Sequence, residues 1–141
     1  MLISARVHYA CLAMLELAAR QSEDSPVALR EISDRHGVPG PFLVQIFRSL
    51  RSAGWVQSVR GNQGGYRLLV DPDQIRLLDI AEVMGCQEAS HRKTGKLSPA
   101  EVMLQQLWDE ATDASRAVLA NVRLSELAQR CRGGEESMFY I

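Results

Sequence analysis

Five arginines stand in a stretch of the chain that contains no acidic residue. Asp34 is the last acid before Asp71. The arginines between these two positions are Arg35, Arg48, Arg51, Arg60 and Arg67. The whole chain of 141 residues carries a formal net charge of only -1, so bulk charge does not select a partner. A basic, acid-free block in a nearly neutral protein is typical of an anion-binding surface, although arginines on a merely solvated surface would give the same pattern.

Arg60 is followed by a glycine-rich segment, GNQGG at residues 61–65. Glycine adopts the positive φ angles of a tight turn, and its missing Cβ lets the backbone come close to another molecule. The apolar segments on either side, residues 55–59 and 66–70, predict the two strands of a β-hairpin. An arginine at the tip of such a hairpin suits the negative potential of a narrow DNA minor groove.

Three helices are predicted before this hairpin. The first follows Ser4, a suitable N-cap, and has apolar residues at helical spacing over residues 7–18. The second covers about residues 29–36 and ends at Gly37. The third begins at Pro39-Gly40-Pro41, because proline fits the first turn of a helix, where its missing N–H would be unpaired anyway.

The third helix is predicted to have two chemically different faces. Its inward stripe follows the i, i+3, i+4, i+7 spacing and consists of Leu43, Ile46, Phe47 and Leu50. Its opposite face shows Val44, Gln45, Arg48, Arg51 and Ser52. Two helices, a turn, a third helix with a basic outer face and a glycine-tipped hairpin are together typical of a winged helix-turn-helix. In that fold the third helix enters the major groove of DNA.

The second half of the chain predicts two more helices and a final helical turn. The first of them covers residues 77–85, and a polar loop follows over residues 87–97. A long helix begins at Ser98-Pro99, with Glu101 at the third position of a capping box. Its apolar residues recur with spacings of 3, 4, 3 and 4, which indicates a short heptad seam that pairs with another helix. The residues of this seam are Leu104, Leu107, Ala111, Ala114 and Val118.

These elements predict a mainly α protein with a small β-hairpin wing and a long C-terminal dimerisation helix. We expect a DNA-binding domain at residues 1–76, followed by a linker helix, loop and dimerisation helix at residues 77–132. A last helical turn is expected over residues 124–130, and residues 133–141 are expected to form a loose tail. Homodimerisation through the seam is the expected assembly.

Several motifs resemble those of a known family. They are Tyr9-Ala10, VPGPFLVQIFRSL at residues 38–50, RSAGWV at 51–56, SVRGNQGGYRL at 58–68, Trp108, and RLSEL at 123–127. In these motifs the chain resembles the Rrf2 family of bacterial winged-helix transcription regulators, and the resemblance covers nearly the whole sequence. It implies a homodimer that binds a pseudo-palindromic operator on double-stranded DNA.

The resemblance also implies roles for single residues. Arg60 matches the wing arginine that enters the minor groove, Gln45 a glutamine on the recognition helix, and Arg51 a basic residue near its end. Val44 stands where cluster-binding members often carry a base-reading glutamate, and Pro41 replaces a frequent small polar residue, so the resemblance implies DNA binding without implying the operator sequence. The expected DNA-contacting set is Gly40, Pro41, Phe42, Gln45, Arg48, Arg51, Arg60, Gly61, Asn62 and Gly64.

Many family members hold a two-iron cluster through three cysteines in the loop after the fourth helix. This chain has only Cys86 near that loop, so we expect neither an iron–sulfur cluster nor another cofactor. An alternative is a mixed-ligand cluster, for which Cys86, His91 and His8 are the candidate ligands. Cys86 is also a candidate for thiol-based sensing because it follows Gly85 at a helix end.

The other cysteines and the hydropathy pattern exclude several classes of protein. Cys11 lies on the apolar stripe of the first helix and is expected to pack in the core. The three cysteines are odd in number and far apart, which indicates a reducing cytoplasm rather than a disulfide framework. Apolar runs of the length that spans a membrane are missing from the sequence, and the N-terminus lacks the long apolar stretch of a signal peptide.

Enzyme functions are not expected, because the sequence shows no nucleophile–base pair, phosphate loop or metal-spaced pair of histidines. The main alternative is a winged helix that serves as a protein-interaction module without an operator of its own. A further alternative is a cluster-free regulator controlled by a partner protein or small-molecule effector. Arg48, Arg51 and Arg60 separate the first alternative from DNA binding, because only DNA binding requires all three to be available to one ligand.

Overall fold

The computed structural model of the chain describes residues 3–62, 64–85 and 95–139. Six helices and one hairpin follow in the order α1 (Ala5–Arg20), α2 (Leu29–His36), α3 (Gly40–Ser52), β1 (Val56–Val59), β2 (Gly65–Leu68), α4 (Leu77–Val83), α5 (Pro99–Ala120) and α6 (Leu124–Phe139). The order and type of these elements confirm the predicted mainly α fold with a hairpin wing. None of the helices within the described ranges is long and apolar enough to cross a membrane.

The predicted helix ends are confirmed at several positions. The Ser4 side chain accepts a hydrogen bond from the Val7 backbone N–H at 3.2 Å, which makes it the N-cap of α1. Gly37 ends α2 in the left-handed conformation, with φ of 66°, and its N–H donates to the Ser33 carbonyl. Ser98 caps α5 by accepting from the Glu101 N–H at 3.2 Å.

The helices α1 and α3 contribute the most residues to the core. The predicted inward stripe of α3 is confirmed, because Leu43, Ile46, Phe47 and Leu50 are fully buried. They pack with the apolar face of α1 and with residues of α2, the wing, α4 and α6 in one cluster. The outer face of α3 is therefore fixed in direction by the burial of its inner face.

The wing is an antiparallel pair in which Val56 lies opposite Leu68 and Val59 opposite Gly65. Each strand is one residue shorter than predicted. The Trp55 N–H bonds to the Leu50 carbonyl in the turn after α3, while the Trp55 carbonyl still accepts across the hairpin from the Leu69 N–H at 2.8 Å. Val27 and Tyr66 exchange two backbone hydrogen bonds of 2.9 and 2.8 Å, which tie β2 to the segment before α2.

Gly65 is required by this close approach. A Cβ atom at its position would lie 2.3 Å from the carbonyl oxygen of Val27. Such a distance is far below van der Waals contact, so a side chain here would force the wing away from the body of the domain.

The helix α6 differs from the sequence-based expectation. We predicted a single turn over residues 124–130 and a loose tail from residue 133, but the structure continues the helix to Phe139. Glycine destabilises a helix interior by only about 1 kcal/mol, so Gly133 and Gly134 need not end it. The helix begins where the Leu124 N–H bonds to the Ile75 carbonyl at 2.8 Å, and Leu124 and Ala128 are buried. The predicted division into domains at residue 76 stays a prediction.

The helix α4 is also shorter than predicted, ending at Val83 rather than Gly85. Its first turn is fixed by Asp79, whose carboxylate accepts from the Arg76 backbone N–H at 2.9 Å and from its guanidinium at 2.7 Å. These hydrogen bonds from Arg76 hold the pKa of the Asp79 carboxyl below its usual value. Arg116 of α5 donates to Glu82 of α4 at 3.0 Å and so links the long helix to the body of the domain.

Candidate nucleic-acid interface

The five arginines of the acid-free stretch divide into two groups. Arg35 pairs with the buried carboxylate of Glu16 at 3.0 Å, and Arg67 pairs with Asp24 at 2.8 Å. Both partners lie outside the acid-free stretch, on α1 and in the loop that follows it. These two arginines therefore connect parts of the fold, which makes them poor candidates for binding an anionic ligand.

Arg48, Arg51 and Arg60 form the other group, and all three are exposed. Over the described part of the chain, none of them makes an ion pair or a side-chain hydrogen bond to a carboxylate. No carboxylate in the part of the chain that the structure describes neutralises their positive charge, which favours an anionic ligand.

The outer face of α3 carries most of the predicted contact residues. Pro41, Gln45 and Arg48 follow at intervals of four and three residues and therefore share one face of the helix, opposite the buried stripe. Val44 and Arg51 lie together on one flank of this face, seven residues apart. Gly40 and all of these residues are exposed, as a contact surface requires.

Phe42 has a partly structural role that the sequence did not indicate. Its ring meets the ring of Tyr9 edge-on, with centroids 5.8 Å apart, and its side chain remains 43% exposed. Arg6 donates to the Ser49 hydroxyl at 2.8 Å farther along the same pair of helices. These contacts set the orientation of α3 on α1, and hence the direction in which the outer face points.

The wing tip places Arg60, Gly61 and Asn62 on the surface, while Gly64 is half-buried. Gly61 has φ of 117°, and the Gly64 N–H donates to its carbonyl at 2.9 Å. A Cβ on Gly64 would lie 2.4 Å from the Val59 carbonyl oxygen. Gly64 therefore shapes the turn, and Arg60 stands at the exposed end of β1 that this turn presents.

A polar cluster that joins α1 to the end of α2 was missed by the sequence analysis. The Glu16 carboxylate on α1 accepts from the Arg35 guanidinium at 3.0 and 3.2 Å and lies 2.9 Å from Nε2 of His36. Glu16 is the only acid in the helix α1, where it interrupts an apolar segment between Leu15 and Leu17, and that interruption is the signal that could have found it. The cluster fixes the end of α2 against α1, so His36 has a definite partner besides the helix terminus.

The apolar seam of α5 lies on the surface. No residue of this helix is buried, and every residue of it is described. Leu107 is 53% exposed and Val118 64% exposed, and Leu104, Ala111 and Ala114 are exposed as well. The side chain of Trp108 next to the seam is half exposed. The helix thus presents a row of apolar residues that its own chain leaves in contact with water.

Of the three candidate sensor residues, only His8 lies among the described residues. Cys86 and His91 lie outside the described residues. His8 is exposed on α1, and its ring centroid is 5.9 Å from that of Tyr9. Within residues 3–62, 64–85 and 95–139, no three histidine, cysteine or acidic side chains come together as a metal site would require.

Cys11 packs against the core, as its place on the apolar stripe predicted. Burial raises the pKa of the Cys11 thiol to about 11, so the thiol is protonated at neutral pH. Because the thiolate is the reactive form of cysteine, this environment favours a packing role for Cys11 and disfavours redox sensing.

The third helix and the wing tip of this winged helix carry exposed arginines that pair with no carboxylate among the described residues. This arrangement is typical of a DNA-binding protein. Comparison with known proteins agrees with this class. The Rrf2 family profile, described as an iron-dependent transcriptional regulator, matches residues 3–130. The chain belongs to the Rrf2 family of bacterial transcription regulators.

The chain is similar in sequence and in structure to the transcriptional regulators CymR and IscR. The transcriptional regulator CymR of Bacillus subtilis (strain 168) is 35% identical over the full length of both chains. IscR of Photobacterium profundum is 37% identical, over 90% of this chain and 75% of IscR. The solved structure of CymR, the global cysteine regulator of B. subtilis, matches with a TM-score of 0.77 over 92% of this chain and 98% of CymR. The solved structure of T. potens IscR matches with a TM-score of 0.75 at 31% identity, over 93% of this chain and 88% of IscR.

Proposed function

We propose that this transcription regulator acts as a homodimer that binds a pseudo-palindromic operator, with α3 in the major groove and the wing tip in the minor groove. The observation that carries the proposal is the division of the arginines. Arg35 and Arg67 pair with Glu16 and Asp24, whereas Arg48, Arg51 and Arg60 are exposed and pair with no carboxylate among the described residues. Such a set attracts the phosphate backbone of DNA.

The proposed contacts follow from the chemistry of each exposed group. The Gln45 amide suits hydrogen bonding to the N6 and N7 edge of adenine, and Arg48 or Arg51 suits the O6 and N7 edge of guanine or a phosphate. The Arg60 guanidinium suits a narrow minor groove. The neighbouring Gly61 and Asn62 at the wing tip let the backbone approach the phosphates closely. Gly40, Pro41 and Phe42 at the start of α3 complete the proposed contact surface.

Dimerisation is proposed through the seam of α5. The exposure of Leu104, Leu107 and Val118 favours it, because an apolar row left in water is stabilised when a second copy covers it. The small side chains of Ala111 and Ala114 let two helices approach closely. A dimer of winged helices reads two half-sites about one helical turn of DNA apart, or roughly 34 Å.

We further propose that DNA binding needs no cluster, and that a thiol, a small molecule or a partner protein supplies the signal. The support is the sequence itself, in which Cys86 is the one cysteine near the loop while Cys11 and Cys131 lie in α1 and α6. A stoichiometric iron–sulfur absorption band from anaerobically purified protein, lost in Cys86→Ala, would favour the mixed-ligand alternative with His8 and His91 instead.

The decisive experiment replaces all three unpaired arginines. Duplexes selected from a random-sequence pool by the full-length protein are titrated at several salt concentrations with the parent and with Arg48→Ala/Arg51→Ala/Arg60→Ala. The slope of log affinity against log salt is negative for a protein that binds phosphates. We expect its magnitude to decrease by up to about three, since up to three phosphate contacts are lost. The matched control is Arg130→Ala/Arg132→Ala, which removes two exposed arginines of α6.

Two results would contradict DNA binding by this surface. One is an unchanged affinity of the triple variant, and the other is a failure of the parent to enrich any duplex. Either result would favour the interaction module without an operator. Sedimentation of the parent as a monomer at micromolar concentration would contradict the proposed dimer separately.

A further inference from the structure

One apolar residue stands on the outer surface of α3 among groups that bind anions. Val44 is 48% exposed, and it belongs neither to the buried core nor to the partly buried residues that pack on the core. Arg48 follows it by four residues and Arg51 by seven, so the three side chains lie along one flank of the helix. Both arginines are exposed.

The fold itself does not account for a valine at this position. β-branched residues lose side-chain freedom in a helix and are weaker helix formers than alanine or glutamine. The buried stripe of α3 is complete without Val44, since Leu43, Ile46, Phe47 and Leu50 fill it. A single exposed apolar residue is common on protein surfaces, so its location has to carry the argument. That location is next to the two arginines of the proposed major-groove surface.

The chemistry of the major groove limits what a valine can contact there. Base edges in this groove present hydrogen-bond donors and acceptors together with one apolar group, the C5-methyl group of thymine. A valine side chain has no polar atom, and burying a donor or acceptor against it would leave that group unsatisfied. Contact with a methyl group instead removes apolar surface of both molecules from water.

We propose that Val44 is a specificity-determining residue that contacts the C5-methyl group of one thymine in each half-site. The proposal rests on the DNA binding proposed above and adds the identity of one base that this surface selects. It also implies that a carboxylate at position 44 would change the preferred base, because a carboxylate accepts a hydrogen bond from the N4 amino group of cytosine.

The test is a double-mutant cycle. It removes the C5-methyl group of a thymine from the DNA and shortens the Val44 side chain of the protein. The full-length protein first selects duplexes from a random pool, and each thymine of the selected duplex is then replaced singly by deoxyuridine. At one thymine per half-site we expect affinity to fall about fourfold, the equivalent of one buried methylene-sized group. In Val44→Ala the same replacement should cost clearly less than in the parent, because the side chain loses two methyl groups and keeps only Cβ, while the effects of deoxyuridine at other positions persist.

Two further variants sharpen the result. Val102→Ala is the matched control, because Val102 of α5 is 42% exposed and lies outside the proposed DNA surface; its deoxyuridine profile should equal that of the parent. Val44→Glu should select cytosine in place of that thymine when the pool selection is repeated. Alanine is the better helix former, so Val44→Ala should show the circular dichroism spectrum of the parent.

The outcomes distinguish this proposal from the function on which it rests. If the parent selects a sequence but Val44→Ala keeps the full deoxyuridine profile, the methyl contact is refuted and operator binding stands. If Val44→Glu selects the same thymine as the parent, the residue does not choose that base. If the parent selects no sequence, operator binding fails and the methyl contact fails with it.

Discussion

The helices α3 and α5 are both amphipathic, yet they use their two faces in opposite ways. In α3 the apolar stripe is fully buried by the chain itself, and the face left in water carries Gln45, Arg48 and Arg51. In α5 the apolar seam is left in water, and no residue of this fully described helix is buried. An outer face rich in unpaired cations favours a polyanion, whereas an uncovered apolar row favours another apolar surface. The chemistry of the face that each helix leaves in water therefore indicates which kind of partner that helix favours.

The largest effect on stability is expected when phenylalanine is replaced on the inner face of α3 and compared with phenylalanine outside the buried stripe. Phe47→Ala should lower the free energy of unfolding by about 3–5 kcal/mol, because it leaves a cavity in the core. Phe42→Ala, on the same helix but 43% exposed, should lower it by much less. Urea denaturation of both variants, monitored by circular dichroism, measures the difference. Equal losses would mean that α3 does not separate its faces in this way.

The second prediction concerns the seam of α5. Ala111→Glu/Ala114→Glu should destabilise the dimer by several kcal/mol, because like charges would be buried against each other. Analytical ultracentrifugation at micromolar concentration should show a monomer for this variant and a dimer for the parent. Gln106→Glu adds an acid to the same helix off the seam and should remain dimeric; its dissociation would point to charge rather than to the seam.

The third prediction tests the wing. Arg60→Ala should weaken binding of the selected duplex by about 1–3 kcal/mol and reduce the salt slope by about one, since one cation and its groove contact are lost. Fluorescence anisotropy at several salt concentrations measures both quantities. Arg130→Ala serves as the control on α6. Unchanged binding by Arg60→Ala would leave the wing without a part in recognition.

The fourth prediction separates base reading from charge on the outer face of α3. Gln45→Ala should reduce discrimination between operator variants by about 1–2 kcal/mol at the base that it reads. The salt slope should stay nearly constant, because a neutral side chain releases no counterion. Competition binding with single-base variants of the selected duplex measures the discrimination. A uniform loss across all variants would indicate that Gln45 positions the helix without reading a base.

The smallest effect is expected from the first turn of α4. Arg76 holds the pKa of the Asp79 carboxyl below its usual value, so the folded state binds the proton less tightly than the unfolded state does. The resulting stabilisation is present above the ordinary carboxyl pKa of about 4 and is lost as the pH falls through the lower folded value. Asp79→Asn should therefore be less stable than the parent at pH 7, and the difference should shrink at pH 3 in urea denaturation. A difference that does not depend on pH would assign the effect to packing.

Much of the fold could be predicted because its signals are local. Ser4, Gly37 and Ser98 cap helices through hydrogen bonds that span three or four residues, and a capping residue does so wherever the chain can form the helix. The inward stripe of α3 follows from helical periodicity alone. The predicted end of α6 was wrong, because Gly133 and Gly134 are local signals for a helix end, but glycine costs a helix interior only about 1 kcal/mol and need not stop it.

The sequence by itself determined the order of the elements, the two faces of α3, the glycine turn of the wing and the family motifs. Only the tertiary structure decided which arginines are available to a ligand. The pairs of Glu16 with Arg35 and of Asp24 with Arg67 join residues that are 19 and 43 positions apart. The physical reason is that ion pairing depends on distance in space, which no spacing along the chain specifies. Five arginines that look alike in the sequence thus become two that pair with acids elsewhere in the fold and three that pair with no carboxylate among the described residues.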